Sequence, residues 1–209
     1  MPAVLNVVTL LYYFIFASLL IVVFVYDLKR KIISDFASFG IFGLAVMRII
    51  VQGYYFQYRI SFWVNSVFYD LVMALGIFAL FGSIWFFSKG KAMGFGDVKF
   101  APASALFLGF PNGIVAILLS FWIGSLVGVF LVLLPPSFQP AFQKFAARFS
   151  GYLRFPAPKD LITSDVAKTK KFGLKSEIPF GPFIALGSFI ALLWGEMLIV
   201  AYFDFLIRL

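Results

Sequence analysis

The chain has 209 residues, of which 63% are hydrophobic and only 12% are charged. Soluble domains contain about 45–50% apolar residues, so this excess excludes an ordinary water-soluble core and indicates membrane-spanning helices. The absence of cysteine and histidine excludes disulfides, Cys-based zinc sites and Cys or His nucleophiles. The net charge of +8 is typical of basic cytoplasmic loops, and no soluble basic domain remains that would bind nucleic acid.

The N-terminal half contains three apolar runs that predict membrane spans. Residues 4–26 are uncharged, and a helix of that length crosses about 30 Å of hydrocarbon. Residues 36–51 form the second predicted span, with Arg48 expected to snorkel at its far end. Residues 67–87 form the third, and Asp70 near its start is expected at the outer interface.

The C-terminal half predicts one short span and two full ones. Residues 100–110 follow a glycine-rich segment and cover only about 16 Å as a helix, roughly half a bilayer. Residues 114–134 and 180–202 are long enough to span. The predicted fold class is therefore all-α: a polytopic membrane protein with six transmembrane helices, in a single membrane-embedded domain over residues 1–209.

Residues 135–179, between the last two spans, are polar and basic. An aromatic residue recurs there every three or four positions, at Phe138, Phe142, Phe145, Phe149 and Tyr152. This spacing predicts an amphipathic helix at about 140–153, lying on the inner leaflet among membrane lipids, anionic ones included, or packing against the bundle. Because 14 of the 17 basic residues fall on the side of this loop, the positive-inside rule puts the loop in the cytoplasm and both termini outside. The expected location is the inner (cytoplasmic) membrane.

Two carboxylates border spans at the same predicted face. Asp27 ends the first span and Asp97 begins the short one, so both lie at the cytoplasmic rim. Carboxylates in apolar spans are costly, and two close ones can share a proton and act as a general base and a general acid. This chemistry requires no metal and no cofactor. Taken alone, each aspartate also fits a simpler interpretation, a solvated boundary charge for Asp27 and a favourable helix N-terminal charge for Asp97. Asp70, Glu196 and Asp204 are interpreted as interfacial charges on the outer side.

Three segments together resemble the type IV prepilin peptidase family of GxGD membrane aspartyl proteases. They are VYDLKRKIISD at residues 25–35, GFGDVK at residues 94–99 and IPFGPF at residues 178–183. The resemblance covers nearly the whole chain and implies that Asp27 and Asp97 are the catalytic pair. It further implies an endopeptidase that cleaves the short basic leader of pilin-like or archaellin-like precursors at the cytoplasmic membrane face. Its active site is then expected to face the cytoplasm.

The same resemblance implies supporting roles for seven residues around the pair. Gly94 and Gly96 are expected to let an extended substrate approach the aspartates, because they lack Cβ atoms. Asp35 and Lys99 are expected to support the site, Lys99 by holding local structure or by tuning Asp97. The remaining three, expected to pack beside the site, are Pro179, Gly181 and Pro182.

Two departures from the family pattern matter. Ser34 stands where the family usually has proline, which affects the local turn. The paired cysteines associated with N-methylation in larger relatives are absent, so the resemblance is to a short, peptidase-only form.

Three alternatives remain open at this level. A presenilin-like or signal-peptide-peptidase-like intramembrane protease shares the GxGD motif but has about nine spans and a different late motif. A proton-coupled transporter would use Asp27 and Asp97 as relay groups, but it predicts internal repeats and carboxylates near the midplane. A non-catalytic assembly factor of a pilus or secretion system is the third.

Overall fold

The computed structural model describes residues 2–30, 33–55, 60–91, 93–133 and 180–208. All regular structure in these ranges is helical. The described residues form six helices: α1 (Pro2–Arg30), α2 (Asp35–Tyr55), α3 (Ile60–Ser88), α4 (Phe95–Leu108), α5 (Asn112–Leu133) and α6 (Gly181–Ile207). The basic loop predicted at 135–179, its helix at about 140–153 and Pro179 lie outside the described residues.

Five of the six helices are long and apolar enough to cross a membrane, α4 being the exception. The protein is an all-α polytopic membrane protein, as the sequence predicts. Helix α4 has 14 residues and corresponds to the predicted short span. The chain forms two compact units, residues 1–124 with 179–209 and residues 125–178; of the second, the structure describes only the helical residues 125–133.

Helix α4 lies at the centre of the first unit, in contact with α2, α3 and α6. Nine of its 14 residues are buried, which explains why it is apolar all round instead of on one face. Small side chains at Ala101, Ala103 and Ala105 are fully or nearly fully buried and let the neighbouring helices approach closely. A central short helix of this kind fixes the depth of its first turn, where Asp97 lies.

The outer surfaces of the long helices carry large apolar side chains. Phe14 on α1, Phe87 on α3, Trp122 on α5 and Met197 on α6 are each at least two-thirds exposed. Such a surface is unfavourable in water and favourable in hydrocarbon, as expected for a membrane protein.

An ion pair connects α2 and α3 at the end of the unit far from Asp27. The Arg48 guanidinium pairs with the buried Asp70 carboxylate, and the Phe110 backbone N–H donates to Asp70 Oδ1 at 2.6 Å. Gly109 ends α4 with a positive φ of 76°, and a Cβ there would overlap the Arg48 guanidinium. The predictions that Arg48 snorkels and that Asp70 is an interfacial charge are therefore wrong: the two neutralise each other inside the bundle.

Candidate active site

Asp27 lies in the last turn of α1 and is almost completely buried, with 3% of its surface exposed. Its carboxylate packs directly against Gly181, the first residue of α6. A Cβ on Gly181 would overlap Asp27 Oδ2 and would lie 3.1 Å from Asp27 Cγ. The segment at residues 25–35, which contains Asp27, thus contacts the segment at residues 178–183, which contains Gly181.

Asp97 lies in the first turn of α4, where the unpaired backbone amides of a helix start favour a carboxylate. Gly94 caps this turn in an extended conformation, and the Asp97 backbone N–H donates to the Gly94 carbonyl at 3.2 Å. The Asp97 side chain is 6% exposed. The helix start therefore places the carboxylate inside the bundle, not in solvent.

The two carboxylates interact electrostatically. Burial and, to a smaller extent, the nearby charge of Asp27 raise the pKa of Asp97, and a backbone hydrogen bond from Gly94 lowers it; the net result is a pKa of about 7. Asp27 Oδ2 and Asp97 Oδ1 are buried and accept no hydrogen bond from the described part of the chain. Two close, desolvated carboxylates with free oxygens can hold one proton between them and can bind a water or a carbonyl group.

Ile33, in the link between α1 and α2, fills the space between the motifs. A Cβ on Gly96 would lie only 2.8 Å from Ile33 Cβ, and one on Gly181 would lie 3.0 Å from Ile33 Cδ1. Both distances are shorter than the roughly 3.5–4.0 Å of a normal carbon contact. The absence of a side chain at Gly96 therefore accommodates Ile33; that Gly96 also lets a substrate approach stays a prediction. At Gly94 a Cβ would make only an ordinary contact, 3.7 Å from Asp97 Oδ2, so internal packing does not require this glycine.

Lys99 pairs with Asp35 instead of with Asp97. Its Nζ lies 2.6 Å from Asp35 Oδ1, at the start of α2, and 5.0 Å from the centre of the Phe95 ring. The pair is partly solvated, with the Lys99 side chain 28% and the Asp35 side chain 64% exposed. Of the two roles expected for Lys99, the geometry fits the local structural one: it joins α2 to the first turn of α4.

Phe180 anchors the third motif, a contact that sequence reasoning did not single out. Its ring centre lies 5.1 Å from that of Phe121 and 6.0 Å from that of Phe81. Gly124 on α5 makes room for this ring, since a Cβ there would be 3.2 Å from it. Pro182 is buried in the first turn of α6, where proline fits because that turn has no intrahelical use for its N–H. The only available signal for Phe180 was its position inside the third motif.

The predicted site residues thus separate into two groups and one omission. Asp27, Asp97, Gly96 and Gly181 lie inside the bundle near Ile33, with Pro182 buried next to Gly181 and Gly94 at the edge. Asp35 and Lys99 form the ion pair beside them, and Pro179 lies outside the described residues. No three His, Cys, Asp or Glu side chains gather as metal ligands within the ranges that the structure describes.

Comparison with known proteins gives one informative result. Searches of the curated proteins and of the solved structures find no match. A family model described as the type IV leader peptidase family matches residues 14–129, which include Asp27 and the GFGDVK segment with Asp97. This match covers more than half of the chain, so the chain belongs to the type IV leader peptidase family.

Proposed function

We propose that this protein is a membrane aspartyl endopeptidase that removes the short basic leader of pilin-like or archaellin-like precursors at the cytoplasmic membrane face. One observation carries the proposal: Asp27 and Asp97 are buried close enough for the charge of one to raise the pKa of the other, and each keeps an oxygen without a hydrogen bond from the described residues. Membership of a leader peptidase family supplies the reaction class.

In this mechanism the two aspartates have different protonation states. The pair shares one proton, and we assign it to Asp97, whose pKa is raised by burial and by the charge of Asp27; Asp27 is then the carboxylate. Water attacks the scissile carbonyl carbon while Asp27 takes the proton of the water and Asp97 gives its proton to the carbonyl oxygen. When the tetrahedral intermediate breaks down, the C–N bond cleaves, Asp27 protonates the departing amine, and Asp97 recovers a proton from the intermediate.

The surroundings of the pair suit an extended peptide substrate. Gly94 is exposed and its Cα faces Asp97 without a packing constraint, so a substrate backbone can approach the carboxylate there. The cytoplasmic assignment rests on the distribution of basic residues, 14 of 17 of which belong to the side of Asp27 and Asp97. The same basic residues favour contact with anionic inner-leaflet lipids.

The decisive experiment is cleavage of a pilin-like precursor by the purified protein in liposomes. Asp27→Asn and Asp97→Asn preserve shape and remove the shared proton, so each is expected to abolish cleavage. Asp35→Asn, at the exposed ion pair, is expected to retain part of the activity. Asp204→Asn is the matched control, because Asp204 is exposed near the end of α6. Normal cleavage by both catalytic-site variants would refute the mechanism.

Two alternatives are distinguished by the same preparation. Proton uptake into the liposomes without cleavage would favour a proton-coupled transporter in which the two aspartates relay protons. Cleavage of a substrate within its membrane span, instead of at the leader, would favour the presenilin-like reaction. Family membership favours the leader peptidase reaction over both.

A further inference from the structure

Asp70 on α3 is a buried carboxylate that the proposed mechanism does not use. It is 2% exposed, and its Oδ1 accepts a hydrogen bond at 2.6 Å from the backbone N–H of Phe110, just beyond the end of α4. Its Oδ2 pairs with the Arg48 guanidinium on α2. One carboxylate therefore joins α2 and α3 to the end of α4 that lies farthest from Asp97.

The groups around Asp70 fit the end of α4 closely. Gly109, which ends this helix, donates its N–H to the Ala105 carbonyl at 2.9 Å. A Cβ on Gly109 would overlap the Arg48 guanidinium, so the guanidinium lies against the backbone there. A cation is favourable at this position because the C-terminal end of a helix carries a partial negative charge. The Phe110 ring also stacks on the Tyr69 ring with 5.7 Å between centres, so α3 holds this residue through its backbone and its ring.

Helix α4 connects this attachment to the candidate active site. Phe110 follows Asp97 by thirteen residues, which is about 20 Å along a helix. Pro102 removes one hydrogen bond from α4, but the helix is continuous through it, and Ala101 and Ala103 on either side are buried. The neighbouring helices thus confine α4 laterally. Its position along its own axis is better specified by directional polar contacts, as a single buried polar residue specifies the register of a coiled coil.

Helix α4 needs such an attachment because the two carboxylates repel each other. The charge of Asp27 is one of the causes that raise the pKa of Asp97, and a shift of α4 away from Asp27 would relieve this repulsion. At its start, α4 is joined to α2 by the Lys99–Asp35 pair, which is partly solvated and contributes little. The buried contacts of Asp70 at the other end are more costly to break. They oppose the shift that the repulsion favours.

We propose that Asp70 is a positioning residue for the peptidase reaction. The hydrogen bond that it accepts from the Phe110 N–H fixes the axial position of α4 and, with it, the separation of Asp97 from Asp27. Because Phe110 and Asp97 lie about 20 Å apart along α4, Asp70 acts through the helix and not on the reacting atoms. Arg48 holds the Asp70 carboxylate in the orientation that accepts this bond. The proposal rests on the proposed function, in which Asp97 is the acid of the pair.

The test compares two double variants that differ in one hydrogen bond. Both carry Arg48→Met, so neither leaves an unpaired cation inside the bundle. In the first, Asp70→Asn keeps an oxygen that can accept from the Phe110 N–H; in the second, Asp70→Leu offers a similar shape without an acceptor. With a pilin-like precursor in liposomes, kcat is expected to fall about 100-fold in the leucine variant and less than about tenfold in the asparagine variant, because a misplacement of about 1 Å costs about 100-fold. KM should be similar in both variants, because Asp70 lies at the far end of α4 from the pair.

A second measurement requires no substrate. The pH titration of the carboxyl pair is followed by infrared difference spectroscopy, and its bands are assigned with Asp97→Asn. The upper midpoint, about 7 in the wild type, should be lower in the leucine variant, where α4 has shifted away from the charge of Asp27. In the asparagine variant it should stay close to the wild-type value. Because this titration is independent of cleavage, it still tests the positioning role if the wild type leaves the precursor intact and the proposed function fails.

Four outcomes would overturn the proposal. The first three are equal kcat values in the two double variants, a loss confined to KM, and a wild-type titration midpoint in the leucine variant. Unfolding temperatures of both variants are measured in parallel. The fourth outcome is failure of the leucine variant to fold, whether or not the asparagine variant folds, because the hydrogen bond would then serve the fold and not the position of Asp97.

Discussion

Alanine in place of Gly181 tests whether the start of α6 holds Asp27 in its working position. The added methyl would overlap Asp27 Oδ2 and lie 3.0 Å from Ile33 Cδ1. Carbon atoms prefer separations of about 3.5–4.0 Å, so Ile33 and Asp27 must move by about 0.5–1 Å. A misplacement of about 1 Å in a catalytic group costs about 100-fold in rate. We therefore expect the variant to cleave a pilin-like precursor about 10- to 100-fold more slowly than the wild type.

The expected effect on stability is a net loss of about 0–2.5 kcal/mol. Overpacking costs about 1–3 kcal/mol, and replacing glycine by alanine inside a helix returns about 0.5–1 kcal/mol. The matched control is Gly76→Ala in α3, because a Cβ there meets no atom within 4 Å. It should keep the wild-type rate, with an unchanged or slightly higher unfolding temperature.

The measurement is the initial rate of leader removal in liposomes at saturating precursor, with thermal unfolding followed in parallel. A Gly181→Ala variant that cleaves as fast as Gly76→Ala would refute the close contact between α6 and Asp27. A large loss of folded protein in Gly181→Ala alone would show that the contact is structural and that the rate argument is wrong.

Three further predictions follow from the same geometry. Cleavage should decline as the pH rises through about 7, because deprotonation of Asp97 removes the acid of the pair, and it should decline again in more acidic solution, where Asp27 becomes protonated and the base is lost. A pH–rate profile that keeps rising above pH 7 would contradict this. Lys99→Met and Asp35→Asn should each lower the cleavage rate by less than about tenfold, since a partly solvated ion pair contributes about 0–1 kcal/mol. The double variant should be no slower than the slower of the two single variants. Additive losses would show that the two residues act separately. Asp70→Asn should lower the free energy of chemical unfolding by about 3–5 kcal/mol, because it leaves Arg48 charged and unpaired. The double variant Arg48→Met with Asp70→Leu should recover part of this loss. Wild-type stability of Asp70→Asn would show that the pair is not buried as described.

The helices and the two aspartates were within reach of sequence reasoning, for identifiable reasons. Long uncharged runs leave few alternatives to membrane helices, so the six helices follow from composition and length. The proximity of Asp27 and Asp97 was inferred from topology, since both carboxylates border apolar runs at the same predicted face. The structure agrees on their proximity, and family membership agrees on the class of protein.

The contacts between segments were not predictable from the sequence. Ile33 is one apolar residue in a short link, and no local pattern indicates that it fills the space beside two glycines far along the chain. Arg48 was expected to snorkel and Asp70 was interpreted as an interfacial charge, because hydropathy gives depth but not the rotation of a helix about its axis. Both contacts depend on which faces of separate helices meet, and that is decided by packing.

The contact between Gly181 and Asp27 has a consequence for the biosynthesis of the protein. Asp27 and Asp97 are both translated in the first half of the chain, but the residue that closes over Asp27 belongs to the last helix. Until α6 has inserted into the membrane, Asp27 lacks one wall of its pocket and stays open to water or lipid. If the proposed function is correct, a chain whose α6 has not yet inserted lacks the residue that closes over Asp27, and we expect it not to cleave precursors.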